Sequence, residues 1–159
     1  DPNIFRAYDI RGVYGQTLTP EIMMKIGMVI GSKHKGKNFV VGNDIRKSSP
    51  SLAHALIAGL LSTGGKVTYV GTTPMGETLF AGWRSKKDIS LYITASHLPP
   101  EWNGLKPSYG EGLPFSSKDI EEIKEAVLRE DFKMSRWDEL KEMEFANFRK
   151  EYILSLIHI

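Results

Sequence analysis

Three times along this chain a serine or threonine stands directly before a proline: Thr19-Pro20, Ser49-Pro50 and Thr73-Pro74. Each pair predicts a helix start, because the hydroxyl caps an orphan amide and proline supplies the φ of the first helical turn. Behind Thr19-Pro20, the residues Ile22, Ile26, Val29 and Ile30 recur on one helical face, with Gly31 as the expected stop. Behind Ser49-Pro50, the set Leu52, Ala55, Leu56, Gly59 and Leu60 follows the same spacing and Gly64-Gly65 closes it. A shorter helix is expected from Thr73-Pro74 to about Arg84. Between the helices lie "NFVVGND" (38–44), "KVTYVGT" (66–72) and "DISLYITA" (88–95), short apolar segments whose β-branched content favours strands. Strands alternating with helices at this spacing build βαβ units. The expected fold class is therefore α/β: a three-layer α/β/α sandwich with a mostly parallel (mixed) sheet and right-handed crossovers.

Beyond these units, Ser116 to Glu130 predicts an amphipathic helix, with Ser116 and Asp119 as a capping box and Ile120, Ile123 and Val127 facing inward. Asp131 to Glu144 is charged and reads as a connector docked by Met134, Trp137 and Leu140. "FANFRKEYILSLIHI" then resumes a helical pattern in which no stop signal appears. The expected organisation is one domain over residues 1–133, followed over 134–159 by a connector and the truncated start of a second domain.

Composition narrows the function classes. A net charge of +2 leaves no footprint for nucleic acid or an anionic membrane, and "GSKHKGK" (31–37) reads as a solvated loop after a helix. With no cysteine, disulfides, thiolate metal sites and cysteine nucleophiles are excluded. Apolar runs fall short of the roughly 18 residues of a membrane span, and "DPNIFRAYDIRG" has no signal-peptide core. A soluble, cytoplasmic setting is expected.

In open parallel sheets ligands bind beyond the carboxyl ends of the strands. That places three loops under scrutiny: "GNDIRKSS", "GTTP" and "TASHLPPEWNGLK". Ser96 and His97 are neighbours on extended backbone, so their side chains diverge and His97 is ill placed to deprotonate Ser96. The loop has no G-x-S-x-G elbow, and only His34, His54 and His158 remain as alternative bases. A serine hydrolase does not fit. A phosphate carrier does: phosphoserine has a charge near −2 and needs cations or amides around it. Lys106 and His97 stand in the same loop, while Arg11 and Arg46 would approach from neighbouring strands. Pro99-Pro100 stiffens the loop, and Asn103-Gly104 predicts a turn with positive φ. Residue types alone favour a turn serine at Ser96 and surface charges at Arg46 and Lys106, and leave Arg11 open between surface charge and phosphate ligand. Asp9, Asp44 and Glu101 are isolated and lack metal-ligand spacing.

Several motifs resemble, in order, those of the α-D-phosphohexomutases, the family that includes phosphomannomutase and phosphoglucomutase. They are "FRAYDIRGVYG", "LTPE", "VVGNDIRKSSP", "ALIAGLLSTGGKVTYVGTTP" and "TASHLPPEWNGLK". The last is similar to the family's phosphoserine loop. The resemblance implies the first of four domains, with Ser96 as the residue that passes a phosphoryl group to a hexose monophosphate and reclaims one from the hexose 1,6-bisphosphate. It implies catalytic neighbours in Arg11, Lys106 and His97, and substrate contacts from Tyr8 and Arg46. It further implies Mg²⁺, held by the phosphate on Ser96 and by three aspartates of a D-G-D-G-D loop that this sequence lacks. The missing domains of the parent chain would be partners, and the fragment alone would not turn over. "AYDIRG", against the "GTDGIRG" style of phosphoglucosamine mutases, favours mannose or glucose phosphates. Two positions depart from the pattern: Leu98 replaces the usual Asn, removing hydrogen-bonding capacity, and Asn43 stands where an Arg is common. They motivate an alternative, a non-catalytic relative that binds a phosphosugar or partner. A nucleotide-binding module is disfavoured, since neither G-x-G-x-x-G nor a P-loop occurs.

Overall fold

The computed structural model describes residues 1–157; His158, one of the alternative bases above, and Ile159 lie outside the described residues. The elements are β1 (Ile10–Val13), α1 (Pro20–Lys33), β2 (Asn38–Asn43), α2 (Ser49–Ser62), β3 (Lys66–Thr72), α3 (Met75–Arg84), β4 (Ile89–Ile93), β5 (Trp102–Tyr109), α4 (Ser117–Arg129), β6 (Met143–Phe145) and α5 (Arg149–Ile157). They form one mixed sheet in the order β1-β5-β4-β2-β3-β6. The pairs β4-β2, β2-β3 and β3-β6 are parallel, and β5 runs antiparallel to both β4 and β1. The α/β/α expectation holds, with the mixed character supplied by β5, which alone runs against the other strands.

Alternation along β2 separates the layers: Phe39 and Val41 join the main core with Ile26, Ile30, Leu56, Leu60, Ile120 and Ile123 from α1, α2 and α4. Val40 points the other way, to Val70, Ala81 of α3 and Phe148. Helices α1 and α2 pack backbone to backbone, because a Cβ on Gly27 would lie 2.4 Å from the Leu56 carbonyl oxygen.

Helix boundaries show where local grammar suffices. Thr19 caps α1 by accepting from the Ile22 amide (3.3 Å), and Ser116 with Asp119 forms the expected capping box on α4. Gly31 does not stop α1; the helix continues to Lys33, with Gly31 packed against Thr63 of the α2 terminus. Ser49 is not the cap of α2. It lies inside the helix, buried, and Ser48 takes the cap position without a side-chain capping bond. Thr73 likewise leaves the capping position of α3 to Pro74 and meets the Thr78 hydroxyl at 2.9 Å.

The largest correction concerns Asn103-Gly104. These residues do not turn; they are the second and third residues of β5. Gly104 pairs with Arg11 of β1, and its carbonyl accepts from the Thr94 amide at 3.0 Å. A Cβ here would lie 2.1 Å from the Ile10 carbonyl oxygen, so glycine is required by close approach. The connector also differs from expectation. Met134, Trp137 and Leu140 remain exposed, and the segment is tied instead through the Ser135 amide to the Ser62 carbonyl and through Glu144 to Thr68. Strand β6 then adds an unforeseen edge to the sheet. Among the described residues no helix is long and apolar enough to cross a membrane.

Candidate functional site

Strand β4 delivers its carboxyl end between β2 and β5, and the Thr94–Glu101 loop leaves from there. Thr94 and Ala95 are still buried; Ser96 and His97 emerge into solvent. The Leu98 amide donates to the Ala95 carbonyl at 3.1 Å, closing a turn with Ser96 as its first central residue. Ser96 has φ of +59°, a left-handed conformation that costs a non-glycine residue about 1 kcal/mol. Ser96 is thus an exposed serine held left-handed at a strand end, a backbone state that clusters at functional sites.

Two carboxylates organise what surrounds it, and neither stood out in the sequence. Asp44, just past β2, accepts from the Thr94 hydroxyl (2.7 Å), from the Arg46 amide (3.0 Å), from Arg46 Nε (3.2 Å) and from the Ser49 hydroxyl. Thr94 Oγ1 in turn accepts from the Ser96 amide at 2.9 Å. The rest of the Arg46 guanidinium turns to the loop backbone, donating to the carbonyls of Ser96, Leu98, Pro99 and Trp102. Beneath the loop the buried Asn103 amide donates to the Ser48 and Ser49 hydroxyls (2.8 and 2.9 Å) and accepts from the Gly104 amide. Thus Ser49, read as a cap, serves this network instead.

Asp9 does the same for the facing strand. Its Oδ2 accepts from Arg11 Nε (2.9 Å) and Nη2 (2.6 Å), and Lys106 Nζ lies 3.8 Å away. Asp9 is buried, while the two cations keep about a quarter of their side-chain surface open. Two cations sharing one carboxylate leave one positive charge uncompensated. A legible signal did exist: Asp9 and Arg11 are two residues apart in sequence, near enough for carboxylate and guanidinium to pair. Asp44 and Arg46 share the same spacing.

Two clefts open beside the loop. One, about 440 Å³, is lined by Arg6, Ala7, Tyr8, Asp9, Arg11, Leu98 and Trp102. The other, about 730 Å³, is lined by Asp44, Ile45, Arg46, Lys47, Thr94, Ser96, Leu98 and Pro100. Leu98 is the wall common to both. Thus Ser96 and Arg46 border one cleft, Tyr8 and Arg11 the other, with Lys106 beside Asp9; His97 lines neither and stands exposed on the rim. Of the alternative bases, His54 is exposed with Nδ1 at 2.7 Å from the Pro50 carbonyl, and His34 sits against Phe115. Asn43 is fully buried, donating to the Asp44 carbonyl and Thr72 hydroxyl and accepting from Tyr69 at 2.6 Å. That departure therefore bears on the β2–β3 end, not on the loop surface. Burial first, and the Asp44 charge second, push the Tyr92 hydroxyl up to about 12, so this phenol stays neutral as it donates to the Thr73 carbonyl.

Among the described residues no group of three or more His, Asp or Glu stands together that would hold a metal ion. Asp44 takes two donors of the chain on each of its oxygens, and Asp9 Oδ2 is taken by Arg11. Among the described residues these carboxylates do not by themselves make a Mg²⁺ site.

Residues 2–134 match the family model described as phosphoglucomutase/phosphomannomutase, alpha/beta/alpha domain I. A protein of Pyrococcus abyssi named "probable phosphoglucosamine mutase" is 37% identical over 153 residues, covering 96% of this chain and 34% of its own length. A phosphopentomutase of Thermococcus kodakarensis is also 37% identical, over 97% of this chain and 34% of its own. The crystal structure of a phosphoglucomutase/phosphomannomutase family protein from Burkholderia thailandensis superposes with a TM-score of 0.88 at 30% identity, covering 99% of this chain and 36% of that one. The chain spans about a third of the length of the curated relatives it matches. Equal identity to mutases of different sugars leaves the substrate unassigned by similarity. This chain belongs to the phosphoglucomutase/phosphomannomutase family and carries its alpha/beta/alpha domain I.

Proposed function

We propose that this chain is the phosphoryl-carrying domain of a phosphohexomutase, with Ser96 as the carrier and hexose phosphates as substrates. The observation that carries the reading is Ser96 itself: exposed, left-handed and tethered at the end of β4, in a cleft that shares its Leu98 wall with the cleft of Asp9 and Arg11. In the forward step a sugar hydroxyl attacks phosphorus, the P–Oγ bond of phosphoserine breaks as the new P–O bond forms, and Ser96 Oγ takes up a proton as the sugar hydroxyl loses one. The resulting hexose 1,6-bisphosphate reorients, and the reverse step returns a phosphoryl group to Ser96. Positioning and charge stabilisation dominate such transfers. Arg11 and Lys106 offset charge on the transferring group, and Lys106 and His97 are the groups available for proton movement. Tyr8, 65% exposed on the cleft rim, is free to meet the sugar.

When bound, Mg²⁺ would screen the phosphate on Ser96, but its remaining ligands must come from outside this chain, and no step here is routed through it. Turnover likewise depends on the rest of the parent, and the isolated chain is expected to give none. In the parent protein, Ser96→Ala should abolish mutase activity, and Arg11→Ala or Lys106→Ala should lower kcat by about 10²–10³-fold, the scale of losing one charge-stabilising donor. Full activity in the Ser96→Ala parent, measured by a coupled assay on mannose 1-phosphate and glucose 1-phosphate, would sink the proposal. A parent that ignores both sugars but turns over a pentose or amino-sugar phosphate, with that turnover lost in Ser96→Ala, would keep the carrier and correct the substrate.

A further inference from the structure

We infer that Arg46 is a positioning residue that locks the backbone of Ser96, and not a ligand for substrate phosphate; the inference rests on Ser96 being the phosphoryl carrier. A guanidinium has five N–H donors in one rigid plane. In this chain all five meet protein acceptors. Nε donates to Asp44 Oδ2 (3.2 Å), Nη1 to the carbonyls of Pro99 (2.6 Å) and Trp102 (3.1 Å), and Nη2 to those of Ser96 (3.0 Å) and Leu98 (2.7 Å). No donor is left for a phosphate oxygen. The side chain is 12% exposed and its partner Asp44 18%, so these bonds are made largely out of water.

The connectivity gives the arrangement its purpose. The Ser96 amide donates to Thr94 Oγ1, whose hydroxyl donates to Asp44 Oδ2, and the Ser96 carbonyl accepts from the arginine paired with that same oxygen. Both peptide groups flanking Ser96 are therefore tethered to one Asp–Arg pair, which holds φ at +59° against the preference of an L-residue. Four carbonyl oxygens converging on one point would otherwise repel one another. The pair is itself neutral, so the field offered to a phosphoryl group comes from other cations, Lys47 of the same cleft and the Arg11–Lys106 pair at Asp9. Lysine does not substitute: it has three donors and no planar fork.

The test uses hydrogen exchange and NMR couplings on the folded 159-residue chain. Arg46→Lys should speed exchange of the Ser96 and Leu98 amides by roughly tenfold or more, the equivalent of one lost hydrogen bond. The Ser96 backbone coupling should move away from its left-handed value, while Val41 and Leu91 in the strands stay protected. Thr94→Val should free the Ser96 amide in the same way, and Thr94→Ser, which keeps the hydroxyl, should restore it; this pair decides the matter if Arg46→Lys fails to fold. In the parent, Arg46→Lys should lower kcat with KM for the sugar phosphate within about twofold, as expected for lost positioning with binding retained. Unchanged Ser96 exchange in Arg46→Lys or Thr94→Val overturns the inference, as does a many-fold rise in KM at unchanged kcat. Retained mutase activity in Ser96→Ala would instead defeat the carrier reading while leaving the loop measurement intact.

Discussion

Placing a methyl group on Gly104 tests the link between sheet and site. A Cβ at this position would lie 2.1 Å from the Ile10 carbonyl oxygen and 3.0 Å from that of Thr94. Both obstacles are backbone, in β1 on one side and just past β4 on the other, so no rotamer change relieves them. The sheet must open on the β1 side, where β1 is a four-residue edge strand. Overpacking of this kind costs about 1–3 kcal/mol, and one weakened ladder bond adds about 1 kcal/mol. For a chain of this size a loss of about 3 kcal/mol lowers Tm by about 6–12 °C. Because Arg11 pairs directly with Gly104, the cation beside Asp9 is displaced with the strand. Thermal unfolding of Gly104→Ala followed by circular dichroism measures the first effect. A control comes from Gly36→Ala: its φ is +80° with nothing within 4 Å of the new Cβ, so backbone strain alone, about 1 kcal/mol, is expected. If Gly104→Ala lowers Tm no more than Gly36→Ala, the close approach of β5 to β1 is wrong.

Other expectations follow from the same geometry. Ser96→Gly should be more stable than Ser96→Ala by about 1 kcal/mol, because only glycine adopts φ of +59° without strain; equal midpoints in denaturant would refute the left-handed assignment. The Asn38 amide, and secondarily Lys37, hold the Asp88 carboxyl below its ordinary value of 3.8 despite partial burial. Its folded value is the lower one, so its contribution is complete above about pH 4 and fades as pH falls through the folded value. Asp88→Asn should therefore lose about 1 kcal/mol at neutral pH and converge with wild type in acid, which urea unfolding across that range would check. Tyr92, raised from 10.0 to about 12, should resist ultraviolet titration below that pH, and its contribution to stability should fall as pH rises between those values. Tyr92→Phe removes the bond to the Thr73 carbonyl, should cost about 1 kcal/mol and should abolish that alkaline loss.

How much of this was legible depended on how local the cause was. Thr19 and the Ser116–Asp119 box act within one helical turn, and both caps stand where spacing puts them. Ser49 lies one residue from the actual cap because its hydroxyl is claimed by Asp44 and Asn103, partners that hydropathy patterns do not register. Asn103-Gly104 resembles a turn in every short window; only the approach of β1, some ninety positions earlier, makes it a strand. Asp9 and Asp44 lacked metal-ligand spacing, which was read as isolation, yet each is the anchor of a cation that the sequence did single out. Edge strand β6 is three exposed residues and has no periodic signal to offer. The family motifs located Ser96 and its neighbours, while the division of labour between the Asp9 side and the Asp44 side came from the hydrogen bonds alone.

The central claim is that Ser96 carries the phosphoryl group. Treating the parent protein with a stoichiometric amount of hexose 1,6-bisphosphate and mapping the modified peptide by mass spectrometry tests it directly. One phosphate on Ser96, absent from Ser96→Ala, is the predicted result. Phosphate on another residue, or equal labelling of the Ser96→Ala protein, would contradict it.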